Sequence, residues 1–363
     1  MSLKFGLPAL VLSTIFVILY VTIVENNLSK VAPKSQLVHA ALPLSNTSNL
    51  LDLRNFKYVI NTDCNTTFLV WVVTSYAGDP ADRSALRRAY TEKELQALKI
   101  RRVFLLGTLN DQSTETTKVS QSAILDEAHR FRDIIQGNFI EAYHNLTYKH
   151  LMGLQWAVTT CSHARYVMKM DDDIILNLYS ILDKIHFIAP SDALMGYIFK
   201  NMVPIREPNN KWYVTKEDFS SDVYPEFLSG WLYVAGLRTV SLLVERSRQH
   251  SKYFWIDDVF VTGILRQELN IDMKDIHESY AMDYRYLNCC IKGKKKKLKC
   301  EFDVGPNGGD TALQVKFKEF TEFCRFTCSV RPAQLSVKNT CIVAYLKAKP
   351  GKGRAQVQPF KVV

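Results

Sequence analysis

The sequence predicts an α/β fold with a mostly parallel sheet flanked by helices. Phe68–Val73 and Arg102–Gly107 are continuous apolar, β-branched runs, as expected of strands buried on both faces. Tyr166–Met170 is a third such run, and segments long enough for helices separate the three. Strands that alternate with helices of this length form βαβ units. Ligands bind beyond the carboxyl ends of such strands, so the residues after Met170 are the first candidates for a site.

The elements between these strands follow in order along the chain. We predict helices over Asp82–Lys99, around Ala123–Arg132, from Asn145 to about Cys161 and over Asn177–Phe187. Residues 25–62 are rich in Ser, Asn, Pro and Leu without sustained periodicity, which indicates a stem. We therefore expect a folded domain over residues 63–287 and a Cys- and Lys-rich C-terminal extension over residues 288–363.

The N-terminus predicts a membrane anchor. Phe5–Val24 is an uncharged run whose length matches the roughly 20 residues that a membrane-spanning helix needs. A cleaved signal peptide, the alternative, has a shorter apolar region followed by a small-x-small cleavage site. Lys4 and the α-amino group precede the run and Glu25 follows it, so residues 1–4 are expected in the cytosol and the body in the lumen.

Cysteines and glycosylation motifs agree with a lumenal body. All eight cysteines follow the predicted anchor, and an even number in an oxidising compartment favours disulfides over a zinc site. The sequence leaves their pairing open. Asn46, Asn65 and Asn145 each begin an Asn-x-Ser/Thr motif and are candidate glycosylation sites.

The net charge of +10 is confined to two segments. Residues 292–299 contain six lysines, and the tail after Cys341 adds five cations without an acid. Without these eleven, 35 basic residues face 36 acidic ones, so the body has no broad basic face and nucleic acid is not an expected partner. The lysine run is typical of a solvated loop, and the alternative is a site for acidic glycans, anionic lipid headgroups or a partner enzyme.

Asp171, Asp172 and Asp173 directly follow the third strand. Three consecutive carboxylates repel one another unless a cation or water screens them, and such oxygen-rich sites suit Mg²⁺ or Mn²⁺. The alternative is a solvated acidic turn that caps the following helix. The position after a buried strand favours the metal site.

Two further segments carry candidate residues. Asp257 and Asp258 lie among aromatic residues, where a carboxylate gains proton affinity and can act as a general base, although the pair can equally begin a helix. Arg83 and Arg87 can meet a nucleotide phosphate or can line a solvated helix face.

Several motifs follow one another between about residues 68 and 271. They are Arg83-x-x-Leu-Arg87, Val103-Phe-Leu-Leu-Gly, Asp133-Ile-Ile-Gln-Gly-Asn-Phe-x-Glu-x-Tyr-x-Asn-Leu-Thr-x-Lys149, Tyr166-Val-Met-Lys-Met-Asp-Asp-Asp, Lys211-Trp-Tyr-Val, Tyr224-Pro-x-Phe-x-Ser-Gly-x-x-Tyr-Val and Asp257-Asp258-Val-Phe. Each motif alone is weakly specific. Their order resembles that of the β-1,3-galactosyltransferase/β-1,3-N-acetylglucosaminyltransferase family.

This resemblance implies a GT-A (Rossmann-like) glycosyltransferase of the Golgi lumen that inverts, depends on Mn²⁺ and uses a UDP-sugar. It assigns Asp173 and Asp171 to the metal, with Asp171 or Asp172 nearer the nucleotide sugar, and Asp258, beside Asp257, to the catalytic base. The remaining implied residues are Arg83 and Arg87 on the nucleotide side and Lys149 and Lys169 near the donor. Outside the resemblance, His277 downstream of the base is a further candidate metal ligand, and the alternative is an exposed histidine without a functional role.

We therefore expect a β-1,3-galactosyltransferase that elongates a glycolipid or glycoprotein from UDP-galactose, with UDP-N-acetylglucosamine as the alternative donor. Two departures from the family pattern bear on this expectation: Trp231 stands where the family has glycine, and Gly263 arrives one residue late. They motivate a second hypothesis, a non-catalytic glycan-binding or scaffolding homologue. A third is a polyanion-binding membrane protein built on the lysine run.

Overall fold

A computed structural model of the chain describes residues 49–65, 67–110, 115–188, 192–250, 252–341 and 343. The predicted cytosolic tail and anchor, most of the stem, Asn46 and the basic C-terminal tail lie outside these ranges. In the described ranges, no helix has both the length and the apolar character that crossing a bilayer requires.

The fold alternates strands and helices. The strands are β1 Tyr58–Ile60, β2 Leu69–Thr74, β3 Ile100–Thr108, β4 Ile134–Ile140, β5 Tyr166–Asp171, β6 Ile174–Leu176, β7 Leu194–Phe199, β8 Phe227–Gly236, β9 Met273–Asp275 and β10 Val304–Pro306. The α-helices are α1 Pro80–Ala89, α2 Glu92–Ala97, α3 Gln121–Phe131, α4 Leu146–Thr160, α5 Leu178–Phe187, α6 Leu237–Gln249, α7 Arg266–Glu268, α8 Tyr284–Lys292, α9 Thr311–Thr327 and α10 Val337–Thr340. Short 3₁₀ turns lie at Tyr143–Asn145, His277–Ser279, Gly293–Lys296 and Ala333–Leu335, and Val259–Leu265 is π-helical.

Eight strands form one twisted sheet in the order β1-β4-β3-β2-β5-β8-β7-β9. The central strands β4, β3, β2 and β5 run parallel, whereas β8 pairs antiparallel with both β5 and β7. All residues of β2 and β8 are buried, which explains the continuous apolar run of β2. The predicted α/β fold with a mostly parallel sheet is confirmed.

The predicted helix over Asp82–Lys99 is two helices. Pro80 opens α1, and the chain leaves helical geometry at Tyr90. The side chain of Thr91 then accepts a hydrogen bond from the backbone N–H of Glu94 and begins α2. A cap in the middle of a helical pattern divides it, because the capping residue has extended dihedral angles.

The C-terminal residues pack against the main sheet's strand-end region. β10 pairs antiparallel with β6, and α9 lies against α1. The predicted domain boundary at residues 287/288 falls inside α8, whose Leu287 and Cys290 are buried in the same apolar cluster as α9.

All eight cysteines form disulfides, as the sequence predicts. The pairs are Cys64–Cys161, Cys289–Cys341, Cys290–Cys300 and Cys324–Cys328. Three of them are local to the C-terminal region, and Cys64–Cys161 joins the segment before β2 to the end of α4.

We expect the Cys64–Cys161 disulfide to contribute most to stability, because it closes a loop with a sequence separation of 97 residues against 4 for Cys324–Cys328. The double variant C64A/C161A should lower the free energy of unfolding in urea by about 2–4 kcal/mol. The matched control C324A/C328A, which opens a short loop, should lose clearly less. Equal losses in the two variants would contradict a loop-entropy origin.

Candidate active site

The candidate site lies where β5, β8 and the π-helical turn meet. Asp171 ends β5, and Asp172 and Asp173 follow it. Asp257 and Asp258 directly precede the π-helical turn. β5 and β8 are neighbours in the sheet, so the backbone of β8 lies next to the acidic segment that ends β5. Asp257 and Asp258 form the other acidic segment of the site.

Lys169 is buried at the centre of this region. Its Nζ lies 2.8 Å from Asp171 Oδ1 and 2.8 Å from the carbonyl oxygen of Gly230. It also lies 3.8 Å from one oxygen each of Asp257 and Asp258. Burial alone would lower the pKa of Lys169, but the three carboxylates outweigh burial and raise it. The ammonium is therefore a fixed charge that holds three aspartates together.

Asp257 and Asp258 are adjacent in sequence but differ in surroundings. Asp257 Oδ2 lies 2.9 Å from His150 Nδ1, and His150 Nε2 lies 2.7 Å from the hydroxyl of Tyr233. Burial works to raise the pKa of Asp257, yet Lys169 and His150 lower it overall. Burial also lowers the pKa of the fully buried His150, which favours a neutral ring that donates to Asp257 and accepts from Tyr233.

Asp258 is the carboxylate with raised proton affinity. Its Oδ2 accepts a hydrogen bond of 2.9 Å from the backbone N–H of Gly230. Burial, followed by the negative charge of Asp257, raises its pKa well above the usual range, against the lowering effect of Lys169. The two neighbouring acids thus have different proton affinities. Asp257 is suited to remain an anion, whereas Asp258 is able to take up a proton.

Asp172 and Asp173 lie with Asp82 in a second acidic group. Burial and then the charges of Asp173 and Asp82 raise the pKa of Asp172 well above its usual range. Asn307 connects this group to the C-terminal region, because its Nδ2 donates to Asp82 and its backbone N–H donates to the Asp173 carbonyl. These carboxylates do not all ionise easily, because their negative charges repel one another. Such a set of hard oxygen ligands suits a divalent cation such as Mg²⁺ or Mn²⁺.

Arg83 and Arg87 are held by acids that the sequence analysis did not single out. Arg83 is fully buried, pairs with Glu127 at 2.7 Å and donates to the carbonyl of Tyr76 at 2.7 Å. Arg87 pairs with Glu127 and with Asp133, each at 2.6 Å. In this structure Arg83 fixes the chain that leaves β2, Arg87 joins α1 to α3 and to the start of β4, and both guanidinium groups are paired with acids.

Lys149 has the same kind of role. Its buried Nζ pairs with Glu141 and donates to the carbonyl of Ser75 at 2.6 Å. Glu141 in turn accepts 2.8 Å and 3.3 Å hydrogen bonds from the N–H groups of Gly107 and Ala77. These contacts join the ends of β2, β3 and β4, so Lys149 shapes the strand ends without offering a free charge to a donor.

His277 does not join the acidic groups. In the described part of the chain, one compact set of three potential ligands has its ligand atoms within 4.8 Å of one another, and it consists of His150, Asp257 and Asp258. The largely exposed ring of His277 instead lies 2.9 Å from Asp275 at the end of β9. Its predicted role as a metal ligand stays a prediction.

Aromatic residues that sequence reasoning missed line the cleft near the acids. The ring of Tyr143 lies 5.8 Å from that of Trp255, and Lys211 Nζ lies 4.2 Å from the centre of the Tyr143 ring. Burial, followed by the charge of Asp257, raises the pKa of Tyr143. Burial lowers the pKa of Lys211, which Asp173 and Asp171 counteract, so Lys211 borders the acidic motif. The aromatic residues around Asp257 in the sequence were the available signal.

Both departures noted in the sequence have structural explanations. Trp231 is only 6% exposed and packs in the core cluster with Tyr280 and Ile276, so it forms no stacking wall for a sugar. Gly263 lies in the π-helical turn, a geometry that accommodates one additional residue within a helix. A β-carbon at Gly263 would lie 3.1 Å from the side chain of Phe227.

Two of the candidate glycosylation sites are described. Asn65 is exposed. Asn145 is half-buried, and its side chain donates to the carbonyl of Ile140 at 2.8 Å. The third residues of the two motifs, Thr67 and Thr147, are both buried, and their hydroxyls donate to the carbonyls of Lys99 and Phe254. The asparagines themselves make the difference: the exposed Asn65 is more open to a glycan than the half-buried Asn145.

An α/β sheet with acidic side chains at its strand ends offers a place for a ligand, and the comparison with known proteins gives the class of the protein. The galactosyltransferase family model matches residues 81–277, so the chain belongs to the galactosyltransferase family and is a hexosyltransferase. Enzymes of this class use a nucleotide-sugar donor and a glycan acceptor. The resemblance seen in the sequence motifs is confirmed.

The names of similar proteins agree with membership of the galactosyltransferase family. The chain is 36% identical over 229 residues to beta-1,3-galactosyltransferase 5 of Homo sapiens, covering 61% of this chain and 71% of that protein. It is 33% identical to beta-1,3-galactosyltransferase 2 of Homo sapiens, covering 60% and 52%, and to beta-1,3-galactosyltransferase 1 of Mus musculus, covering 59% and 65%. A solved bifunctional glycosyltransferase, WbbM, matches with 9% identity over 76% of this chain and 46% of that one; its TM-score of 0.32 is too low to support an argument.

We expect G230A to inactivate the enzyme without unfolding it. A β-carbon at Gly230 would lie 2.2 Å and 2.5 Å from the two carboxylate oxygens of Asp258, so the carboxylate must move. A displacement of about 1 Å lowers turnover by about 100-fold. Turnover and thermal unfolding of G230A should be compared with G293A, where the nearest atom lies 3.4 Å away and no loss is expected. Full activity of G230A would show that turnover does not depend on the position of the Asp258 carboxylate.

Proposed function

We propose that the protein is an inverting β-1,3-galactosyltransferase that transfers galactose from UDP-galactose to a sugar on a glycolipid or glycoprotein. The observation that carries this proposal is the geometry of Asp258. Its carboxylate accepts a hydrogen bond from the Gly230 N–H and lies 3.8 Å from Lys169 Nζ, which also contacts Asp171, and burial followed by Asp257 raises its pKa. Relatives at 33–36% identity carry the name beta-1,3-galactosyltransferase.

The acidic motif is the proposed donor side. Asp173 and Asp171 are the residues that we assign to a Mn²⁺ ion, with Asp171 or Asp172 nearer the nucleotide sugar. When bound, such an ion neutralises the diphosphate and stabilises the departing UDP. One oxygen of Asp171 already accepts from Lys169, so its second oxygen is the one available to a ligand. Lys211 borders this motif and supplies a further positive charge toward the diphosphate.

Asp258 is the proposed general base. Its carboxylate removes the proton from the acceptor's 3-hydroxyl as that oxygen attacks the anomeric carbon of galactose. The bond from this carbon to the UDP oxygen breaks on the opposite face, which inverts the configuration. Asp257 keeps its negative charge through His150 and Lys169, and this charge increases the proton affinity of Asp258.

The proposed location is the Golgi membrane, with residues 5–24 as a single anchor and the enzyme in the lumen. Four disulfides support an oxidising compartment, because such bonds are rare in the cytosol. Asn46, Asn65 and Asn145 are the proposed glycosylation sites, with Asn65 the most accessible of the two that are described.

Donor screening tests the proposal. The full chain is incubated with Mn²⁺, a panel of glycan acceptors and one UDP-sugar at a time, and we expect transfer from UDP-galactose that is lost on chelation of the metal. The test variant D258N keeps the shape of the side chain but removes the base. It should lower turnover by about 100-fold or more while it still binds UDP and Mn²⁺. Transfer from UDP-N-acetylglucosamine would reassign the donor. UDP binding without turnover from any donor would indicate a non-catalytic homologue.

The pH dependence of turnover tests the roles of the two aspartates. A general base must be ionised, so the rate should rise with pH through the raised pKa of Asp258. D257N removes a neighbouring negative charge, lowers that pKa and should move the acid limb of the pH–rate profile to lower pH. The control D222N changes an exposed carboxylate paired with Lys216 and should leave the limb in place. An unmoved limb in D257N would show that another group limits the rate.

A further inference from the structure

The lysine run of residues 292–299 is a disulfide-closed loop with a defined shape. Cys290 and Cys300 join its two ends, and Gly293–Lys296 forms a 3₁₀ turn. Leu298 is buried and fixes the loop to the body of the protein. All six lysines of the loop are exposed: Lys292, Lys294, Lys295, Lys296, Lys297 and Lys299. Their charges are thus presented together on an ordered surface.

These charges have no acidic partners in the described part of the chain, where none of the six lysines forms an ion pair. The nearest acid in sequence, Glu301, accepts hydrogen bonds from Ser336 and from the backbone N–H of Lys338. Arg331 lies against the loop, with its Nε 3.2 Å from the carbonyl of Lys299. The surface of the loop is therefore strongly cationic, and its lysine charges are not neutralised by ion pairs with acidic residues of the described part of the chain.

Two large apolar side chains project beside the lysines. Phe326 is 84% exposed and Val330 is 79% exposed. Backbone hydrogen bonds of 3.0 Å and 2.9 Å join Ser329 to Lys297 and Lys299, which brings Val330 alongside the loop. Phe326 lies about one turn along α9 from Phe323, and Lys294 Nζ lies 4.7 Å above the ring of Phe323. We call the six lysines with Phe326 and Val330 the basic–apolar face.

We propose that the basic–apolar face binds the surface of an anionic lipid bilayer. The lysines would meet negative headgroups of the lumenal leaflet, and Phe326 and Val330 would insert at the boundary between headgroups and acyl chains. A soluble polyanion needs only the cations, whereas a bilayer surface also accommodates exposed apolar side chains beside them. The disulfide-closed loop also lowers the conformational entropy lost on binding, since its shape is fixed beforehand.

Lysine footprinting on the full chain tests this. The protein is reconstituted into bilayer discs of phosphatidylcholine alone or mixed with phosphatidylserine, treated with a water-soluble amine-acylating reagent and analysed by peptide mass spectrometry. We expect the six lysines to react severalfold less in the anionic discs, with the difference lost at high salt. Lys200 and Lys216, whose side chains are 57% and 55% exposed, serve as internal controls and should react equally in both discs.

The apolar part of the proposal has its own variants. F326S/V330S should weaken the protection severalfold, whereas the control F187S, which changes another side chain that is 84% exposed, should not. Transfer of galactose to a soluble acceptor should be the same in all these variants, so failure here is distinguishable from failure of the proposed enzyme function. Equal labelling in the two kinds of disc would overturn the proposal. Protection by heparin that is unaffected by F326S/V330S, without protection by anionic discs, would replace the bilayer by a soluble polyanion.

Discussion

The site depends on the buried ammonium of Lys169. Without this cation, three aspartates from β5 and the segment before the π-helical turn would repel one another in a region shielded from water. With it, Asp171 is held at 2.8 Å and the pair Asp257 and Asp258 at 3.8 Å. Removing one partner of a buried ion pair typically destabilises a protein by about 3–5 kcal/mol. Lys169 therefore couples the folding of the strand ends to the arrangement of the chemical groups.

A second layer of buried charges supports the loops around this centre. Arg83 and Lys149 both donate to backbone carbonyls in the chain that follows β2, and Glu127 and Glu141 neutralise them. Loops at strand ends have few apolar contacts of their own, so charged side chains with backbone partners are an efficient way to fix them. Cations that the motifs associate with a nucleotide thus act on the protein backbone in this structure.

The sequence predicted the parts of the fold that depend on local pattern. Continuous apolar runs identified β2, β3 and β5, and the even number of cysteines in a chain predicted to be lumenal indicated disulfides. Asp171–Asp173 and Asp257–Asp258 were singled out because acids at a strand end and among aromatics are unusual. The partners of the site residues could not be read from the sequence. His150 meets Asp257 across 107 residues of chain, Glu141 meets Lys149 across 8 and Gly230 meets Asp258 across 28. Only the folded sheet brings these partners together. The cap at Thr91 was overlooked because the helical pattern continues through it.

The connection made by Asn307 extends the framework of the acidic motif beyond the segment that matches the family model. The family model ends at residue 277, yet Asn307 donates to Asp82 and to the carbonyl of Asp173 from a loop between β10 and α9. The C-terminal residues are thus part of the framework of the acidic motif, and they are not an independent appendage. Any replacement of this segment must therefore preserve an amide at this point, because the backbone and side chain of the acidic motif depend on it.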